Sequence, residues 1–228
     1  MTTETTDPYD VLPNLRETDI PEMAAKILAA GLALFAQKGY AATSVREIVS
    51  SADVTNPMLY YYFDNKEGLF NQLVEYLFGA VAELVADELE GAETLADRLQ
   101  AVAWAQIGGA KESPIILKFV YSILFGPSES RPEIDVYSLH LELIARVEAI
   151  MAEGIERGEL SPHDSFDSMF LTNQFMGLIN EHMMRALTIA ESIPDDRVRG
   201  EFLDQFLSQN ECERLVRFFV TGAGGDTT

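Results

Sequence analysis

The chain holds a single cysteine among 228 residues, Cys212, which excludes an internal disulfide and a cysteine-built zinc site. Its three histidines, at 140, 163 and 182, are too scattered to form a His-Glu-x-x-His motif. No Gly-rich phosphate loop, nucleophile elbow or Cys/His pair is present, so neither an enzymatic site nor a cofactor is expected. Cations are scarce: 16 Lys and Arg stand against 37 Asp and Glu, a formal net charge of −21. Charge of that sign, spread evenly, repels nucleic acid, so a DNA-binding surface has to be locally different. No uninterrupted apolar run reaches about 18 residues, which predicts no membrane-spanning helix. The opening MTTETTDPYDVLPNLRETDI lacks an apolar core and does not resemble a signal peptide, so the cytoplasm is the expected compartment.

What the chain does have is helical spacing. With 47% hydrophobic and 23% charged residues and a mean hydropathy of +0.03, its composition is that of a globular protein. Residues 1–20 read as a flexible acidic tail. Ile27, Leu28, Gly31, Leu32, Leu34 and Phe35 then recur at i, i+3, i+4 and i+7, with Gly39 as the stop. Two short helices are predicted near 44–51 and 55–63, and a long one from Asn65 to about Leu89. Further helices are expected over 93–110, 115–125 and 133–157. Ser161-Pro162 is a start signal for a helix running to about Ala190, and a last one is predicted over 195–220. With no sustained period-2 alternation, the fold class is all-α, with about nine helices. The expected division is 21–66 as a helix-turn-helix module, 67–222 as a helical body and 223–228 as a short flexible tail.

Function is concentrated in ATSVREIVSSADVTNPMLYYYFDNKEGLF, residues 42–70. Ile48, Val49, Ala52, Val54, Leu59 and Phe63 can form a small core between two crossing helices. Asp53 tolerates a left-handed turn, Thr55 can cap the next helix and Pro57 suits its first turn. Leu59 and Phe63 face inward, leaving Asn56, Met58, Tyr60, Tyr61 and Tyr62 outward. Asn65 can cap the long helix, whose positive dipole end and Lys66 make a phosphate seat.

Over about residues 22–70 the chain resembles the tetracycline-repressor (TetR) family of transcriptional regulators. The likeness is carried by Phe35, by Lys38-Gly39-Tyr40 and by Thr43 through Ile48. It continues through Leu59-Tyr60-Tyr61-Tyr62-Phe63, Asn65-Lys66-Glu67 and Leu69-Phe70. The resemblance implies an N-terminal three-helix DNA-binding domain with a helix-turn-helix, and a C-terminal ligand-binding and dimerisation domain. It implies a recognition helix at 55–63, with base-edge contacts from Asn56, Pro57, Met58 and Tyr60, preceded by Thr55. Arg46 reaches a base from the preceding helix, and Thr43, Ser44, Tyr61, Tyr62 and Lys66 hold phosphates. Asparagine pairs bidentately with adenine and arginine with guanine, while Pro or Met touches a thymine methyl, so the side chains suit those roles. The family often carries Gly where Asp53 stands and Lys where Asn56 stands.

Residues 21–68 hold four basic and five acidic residues, so the negative excess lies mostly in the body. At a Debye length of about 8 Å those charges are screened from the DNA face. Two to four cationic contacts per half-site would give a dimer a log K against log salt slope of about −4 to −7. One module reads few base pairs, so a homodimer on a palindromic double-stranded operator is expected. Phe166, Phe170, Phe202, Phe206 and Phe219 are the candidate dimer interface. A small apolar effector is expected in the body, lined by Trp104, Phe119, Tyr121, Phe125, Tyr137, His140, Met169, Asn173 and Met176. The whole reads as a repressor released when the effector shifts the helix beginning at Asn65. The alternative is a TetR-like helical sensor or protein-interaction module without operator binding.

Overall fold

The computed structural model describes residue 12, residues 19–161, residue 163 and residues 165–224, so the expected tails lie almost wholly outside the described residues. Among the latter, Leu12 is a buried apolar side chain. Ten α-helices and no β-strand are found among the described residues. They are α1 (Glu22–Lys38), α2 (Val45–Ser51), α3 (Asn56–Phe63), α4 (Lys66–Glu88) and α5 (Leu95–Glu112), then α6 (Pro114–Phe125), α7 (Val136–Glu156), α8 (Ser168–Ser192), α9 (Asp196–Phe206) and α10 (Gln209–Gly222).

The chain divides into two compact units. The first comprises residues 1–80 and 113–136, wider than the expected 21–66 because it takes in α6. Here α1 packs against α2, α3 and α6, and α2 against α3. The periodic apolar face of α1 supplies the buried Ile27, Leu28, Leu32 and Phe35. The Phe35 ring meets Phe70 edge-on at 5.5 Å and Phe119 at 6.2 Å. Helix α1 stops at Gly39, whose φ of 82° is open to glycine.

The second unit comprises residues 81–112 and 137–228. Helix α5 packs on α10 and α8, and α8 on α9 and α10, around contacts such as Phe175 against Phe219 at 5.1 Å. Two boundaries differ from the sequence expectation. Ser161-Pro162 does not open α8: the Ser161 amide donates to the Gly224 carbonyl at 3.3 Å. The helix begins at Ser168, where an Asp167 carboxylate oxygen accepts from the Phe170 amide at 2.8 Å. A carboxylate complements the helix dipole as well as capping it, which a hydroxyl does not.

The final helix is two helices, broken at Leu207, which is fully buried, and restarted by Ser208, whose hydroxyl accepts from the Glu211 amide at 3.3 Å. The break exposes the Phe206 carbonyl, and the buried His182 ring nitrogen lies 2.7 Å from it. His182 is thereby a satisfied structural residue.

Helix α4 is the one described helix long and apolar enough to cross a membrane. That departs from the expectation of none, because Glu75 and Glu83 interrupt the run without lowering its average enough. Leu69, Phe70, Leu73, Val74, Leu77 and Val85 are buried along it, a third of its apolar stretch.

Candidate functional site

The site is built on a tight helix-turn-helix. Ile48, Val49, Ala52, Leu59 and Phe63 are buried and Val54 half-buried, as their spacing requires. Asp53 makes the turn at φ 52°, and the Val54 amide donates to the Val49 carbonyl at 3.0 Å. Helix α3 starts after Thr55, which makes no side-chain cap; Pro57 in the first turn removes one orphan donor instead. The Thr55 hydroxyl therefore stays available to a partner, a correction to its expected capping role. Asn56, Pro57 and Tyr60 are exposed, Met58 is half-buried, and Tyr61 is 80% exposed. Tyr62 turns partly inward, 4.9 Å from Tyr61, and lines a groove of about 350 Å³ with Pro21, Leu28, Gln72 and Tyr76. Asn65 caps α4 by accepting from the Gly68 amide at 2.9 Å. Gly68 permits this tight joint, because a Cβ there would lie 2.1 Å from the Phe63 carbonyl oxygen.

Helix α2 begins with a reciprocal capping box. The Ser44 amide and hydroxyl donate to a Glu47 carboxylate oxygen at 2.9 and 2.7 Å, and the Glu47 amide donates back to Ser44 at 3.3 Å. Lys38 donates to the other Glu47 oxygen. The Lys38 ammonium and the Ser44 donors hold the Glu47 carboxyl down to about 2.

Three expected phosphate contacts are committed inside the protein. Ser44 spends its hydroxyl proton on Glu47. Thr43 is 2% exposed and donates to the Gly39 carbonyl at 2.8 Å. Lys66 donates to the Tyr40 and Thr43 carbonyls at 2.9 and 2.8 Å, with its ammonium 3.9 Å from the Tyr40 ring centroid. Burial pushes the Lys66 ammonium below its usual pKa. The Thr43 and Lys66 commitments follow from loop 39–43 folding back on itself, which residue type alone does not reveal; that of Ser44 is the local capping box. Arg46 is exposed and has no ion-pair partner among the described residues. The donors left facing outward are thus Arg46, Thr55, Asn56, Tyr60 and Tyr61, an arrangement suited to base edges and phosphate oxygens with little net charge.

The expected effector residues fall in both units. Phe119, Tyr121 and Phe125 belong to the first unit, where Phe119 is wholly buried between Phe35 and Phe70 and Phe125 is 66% exposed. Trp104, Met169, Asn173 and Met176 belong to the second; Trp104 is half-buried, Met176 buried, and Met169 and Asn173 exposed. The side chains of Tyr137 and His140 lie outside the described residues. Gln106, missed in the sequence, brings its amide nitrogen to 3.9 Å from the Met176 sulfur.

Of the dimer candidates, Phe166 and Phe170 are exposed and stacked at 4.9 Å. Phe202 and Phe206 are half-buried and stacked at 5.1 Å. Phe219 is core, a correction, because its ring packs on Phe175; the outward aromatic is its neighbour Phe218, 71% exposed.

Residues 27–73 match the family described as bacterial regulatory proteins, tetR family. Over 84 residues the chain is 34% identical to the HTH-type transcriptional repressor KstR2 of Rhodococcus jostii, covering 35% of this chain and 38% of that protein. The chain thus spans about two-fifths of the length of such a curated relative. A bacterial regulatory protein in the tetR family from Rhodococcus RHA1 superposes with a TM-score of 0.68 at 19% identity, over 91% of this chain and 100% of that one. The transcriptional regulator FadR of Bacillus subtilis, solved in complex with stearoyl-CoA, gives 0.59 at 18% identity, over 81% and 97%. At those identities the structural likeness carries the fold alone. The helix-turn-helix lies in register within that matched stretch, so residues 27–73 form a helix-turn-helix module of the kind found in the bacterial regulatory proteins of the tetR family.

Proposed function

We propose that the chain is a cytoplasmic transcriptional repressor that binds a palindromic double-stranded operator as a homodimer and is released by a small apolar effector. The observation that carries this reading is the outward face of α3. Asn56, Pro57, Tyr60 and Tyr61 are exposed on a helix whose Leu59 and Phe63 anchor it inward. Exposing consecutive tyrosines is costly for a surface that binds nothing. KstR2 is named a repressor, which supports that outcome. The exposed Phe166–Phe170 stack at the start of α8, with Gly177 exposed further along that helix, supports a helix-on-helix partner face.

FadR was solved with stearoyl-CoA, a larger and anionic molecule whose acyl chain is apolar, so an acyl-CoA is the first probe of an apolar-effector site. Helix α4 runs unbroken from Lys66 to Glu88 and is the element an effector would shift. Two recognition helices moved apart would no longer match successive major grooves, about 34 Å apart. Coupling is reciprocal, so operator must weaken effector binding as much as effector weakens operator binding.

The test is enrichment of duplexes from a randomised pool by the purified protein, followed by gel shifts with and without stearoyl-CoA. A recovered palindrome supports the reading. Failure to enrich any sequence favours a tetR-fold sensor without operator binding, a reading to which the internal pairing of Lys38 and Lys66 lends weight.

A further inference from the structure

Lys66 has a geometry unlike that of a phosphate clamp. Two of its protons go to the Tyr40 and Thr43 carbonyls at 2.9 and 2.8 Å, and the Tyr40 ring takes another side of the ammonium at 3.9 Å. An ammonium has three donors, so with two on carbonyls and the ring against a further side, at most one proton remains for a phosphate. The bonds also cross a long stretch of chain: Lys66 opens α4, whereas Tyr40 and Thr43 bracket the loop that delivers the chain into α2. Thr43 is itself immobilised, its hydroxyl on the Gly39 carbonyl and its side chain 2% exposed.

We infer that Lys66 is a positioning residue, a latch that fixes the 39–43 loop against the start of α4 and so sets the angle at which α2 and α3 meet a duplex. The inference rests on the DNA-binding reading above and deepens it. The latch acts at both ends of the helix-turn-helix. Its carbonyl partners precede the Ser44 cap of α2, while its own backbone follows Asp64 and Asn65, directly after α3. With both ends tied to one ammonium, α2 and α3 move as a block, and Arg46 keeps its place relative to Asn56 and Tyr60.

The test compares wild type with Lys66→Met, which keeps the apolar stem and removes the charge, and with Tyr40→Phe, which keeps ring and carbonyl. The probe is a duplex enriched by the wild-type protein, and affinity is measured across a salt series. A latch predicts that Lys66→Met lowers affinity at least tenfold with an unchanged slope of log K against log salt, and that Tyr40→Phe behaves as wild type. A phosphate clamp on each half-site predicts a slope shallower by about 2, and that result overturns the inference. Thermal unfolding checks that Lys66→Met is folded.

Amide hydrogen exchange of residues 43–48 supplies a readout independent of DNA. Exchange at least tenfold faster in Lys66→Met is expected, and unchanged exchange overturns the latch. Should wild type enrich no duplex, the operator reading fails while the exchange result still decides the latch.

Discussion

Glu47 joins a helix cap, a side-chain hydroxyl and a lysine in one exposed carboxylate. Its carboxyl sits at about 2, against an ordinary 4.5, because Lys38 and Ser44 all favour the charged form. A carboxylate depressed on folding contributes stability that is fully present above its unfolded value and is lost as pH falls toward the folded one. The window is therefore about pH 5 down to 2. Replacing Glu47 by Gln keeps the reciprocal cap but removes the charge facing Lys38. We predict that the melting temperature of Glu47→Gln falls less steeply than that of wild type between pH 5 and 2.5, with a constant gap between the curves above that range. Parallel curves throughout would mean that solvent screening cancels the pair. Residue identity alone pointed to Thr43 and Lys66 as anion holders; that both are already spent is decided by where loop 39–43 folds, and no local pattern encodes that.

At the scale of elements, the helix-turn-helix was legible because several local signals agree there. Apolar spacing in α1, a glycine stop, the Ser44-to-Glu47 box and the Asp53 turn all point to the same boundaries. The start of α8 was not legible, because Ser161-Pro162 and Asp167 both carry cap chemistry and only packing chooses between them. The break before α10 was hidden for a related reason: no Gly or Pro marks it, and the stop comes from burying Leu207, with His182 satisfying the freed carbonyl. The correction at α8 can be checked. Asp167→Ala removes a 2.8 Å cap and should cost about 1 kcal/mol, or roughly 2–4 °C in melting temperature. Ser161→Ala should change stability by less than about 0.5 kcal/mol. Equal effects would mean that the first signal also helps to start the helix.

For the whole molecule, the aromatic residues of the second unit sort into core and surface in a way that bears on assembly. Phe219 is buried against Phe175, while Phe218 is 71% exposed and Phe170 is 41% exposed. A charge at an exposed aromatic should leave the fold intact and act only on association; the same charge in the core leaves an unpaired ion among apolar groups. We predict that Phe170→Glu gives a folded monomer by light scattering, whereas Phe219→Glu unfolds or aggregates. A Phe170→Glu protein that remains a dimer would remove α8 from the interface.

The second consequence of whole-molecule charge concerns salt. A net −21 chain that binds DNA must do so with few cations, and the structure reduces that number further. Lys38 is held by Glu47 and Lys66 by two carbonyls, which leaves Arg46 as the exposed cation beside the reading face. One or two neutralised phosphates per half-site give a dimer a slope of log K against log salt of about −2 to −4, since each releases about 0.9 of a counterion. That is shallower than the value of about −4 to −7 that residue counting gives. Fluorescence anisotropy on the enriched duplex over about 50–300 mM KCl measures the slope. A slope steeper than about −4 would mean that the lysines abandon their internal partners on binding, so that the free protein's helix-turn-helix is reorganised by the duplex rather than presented ready to it.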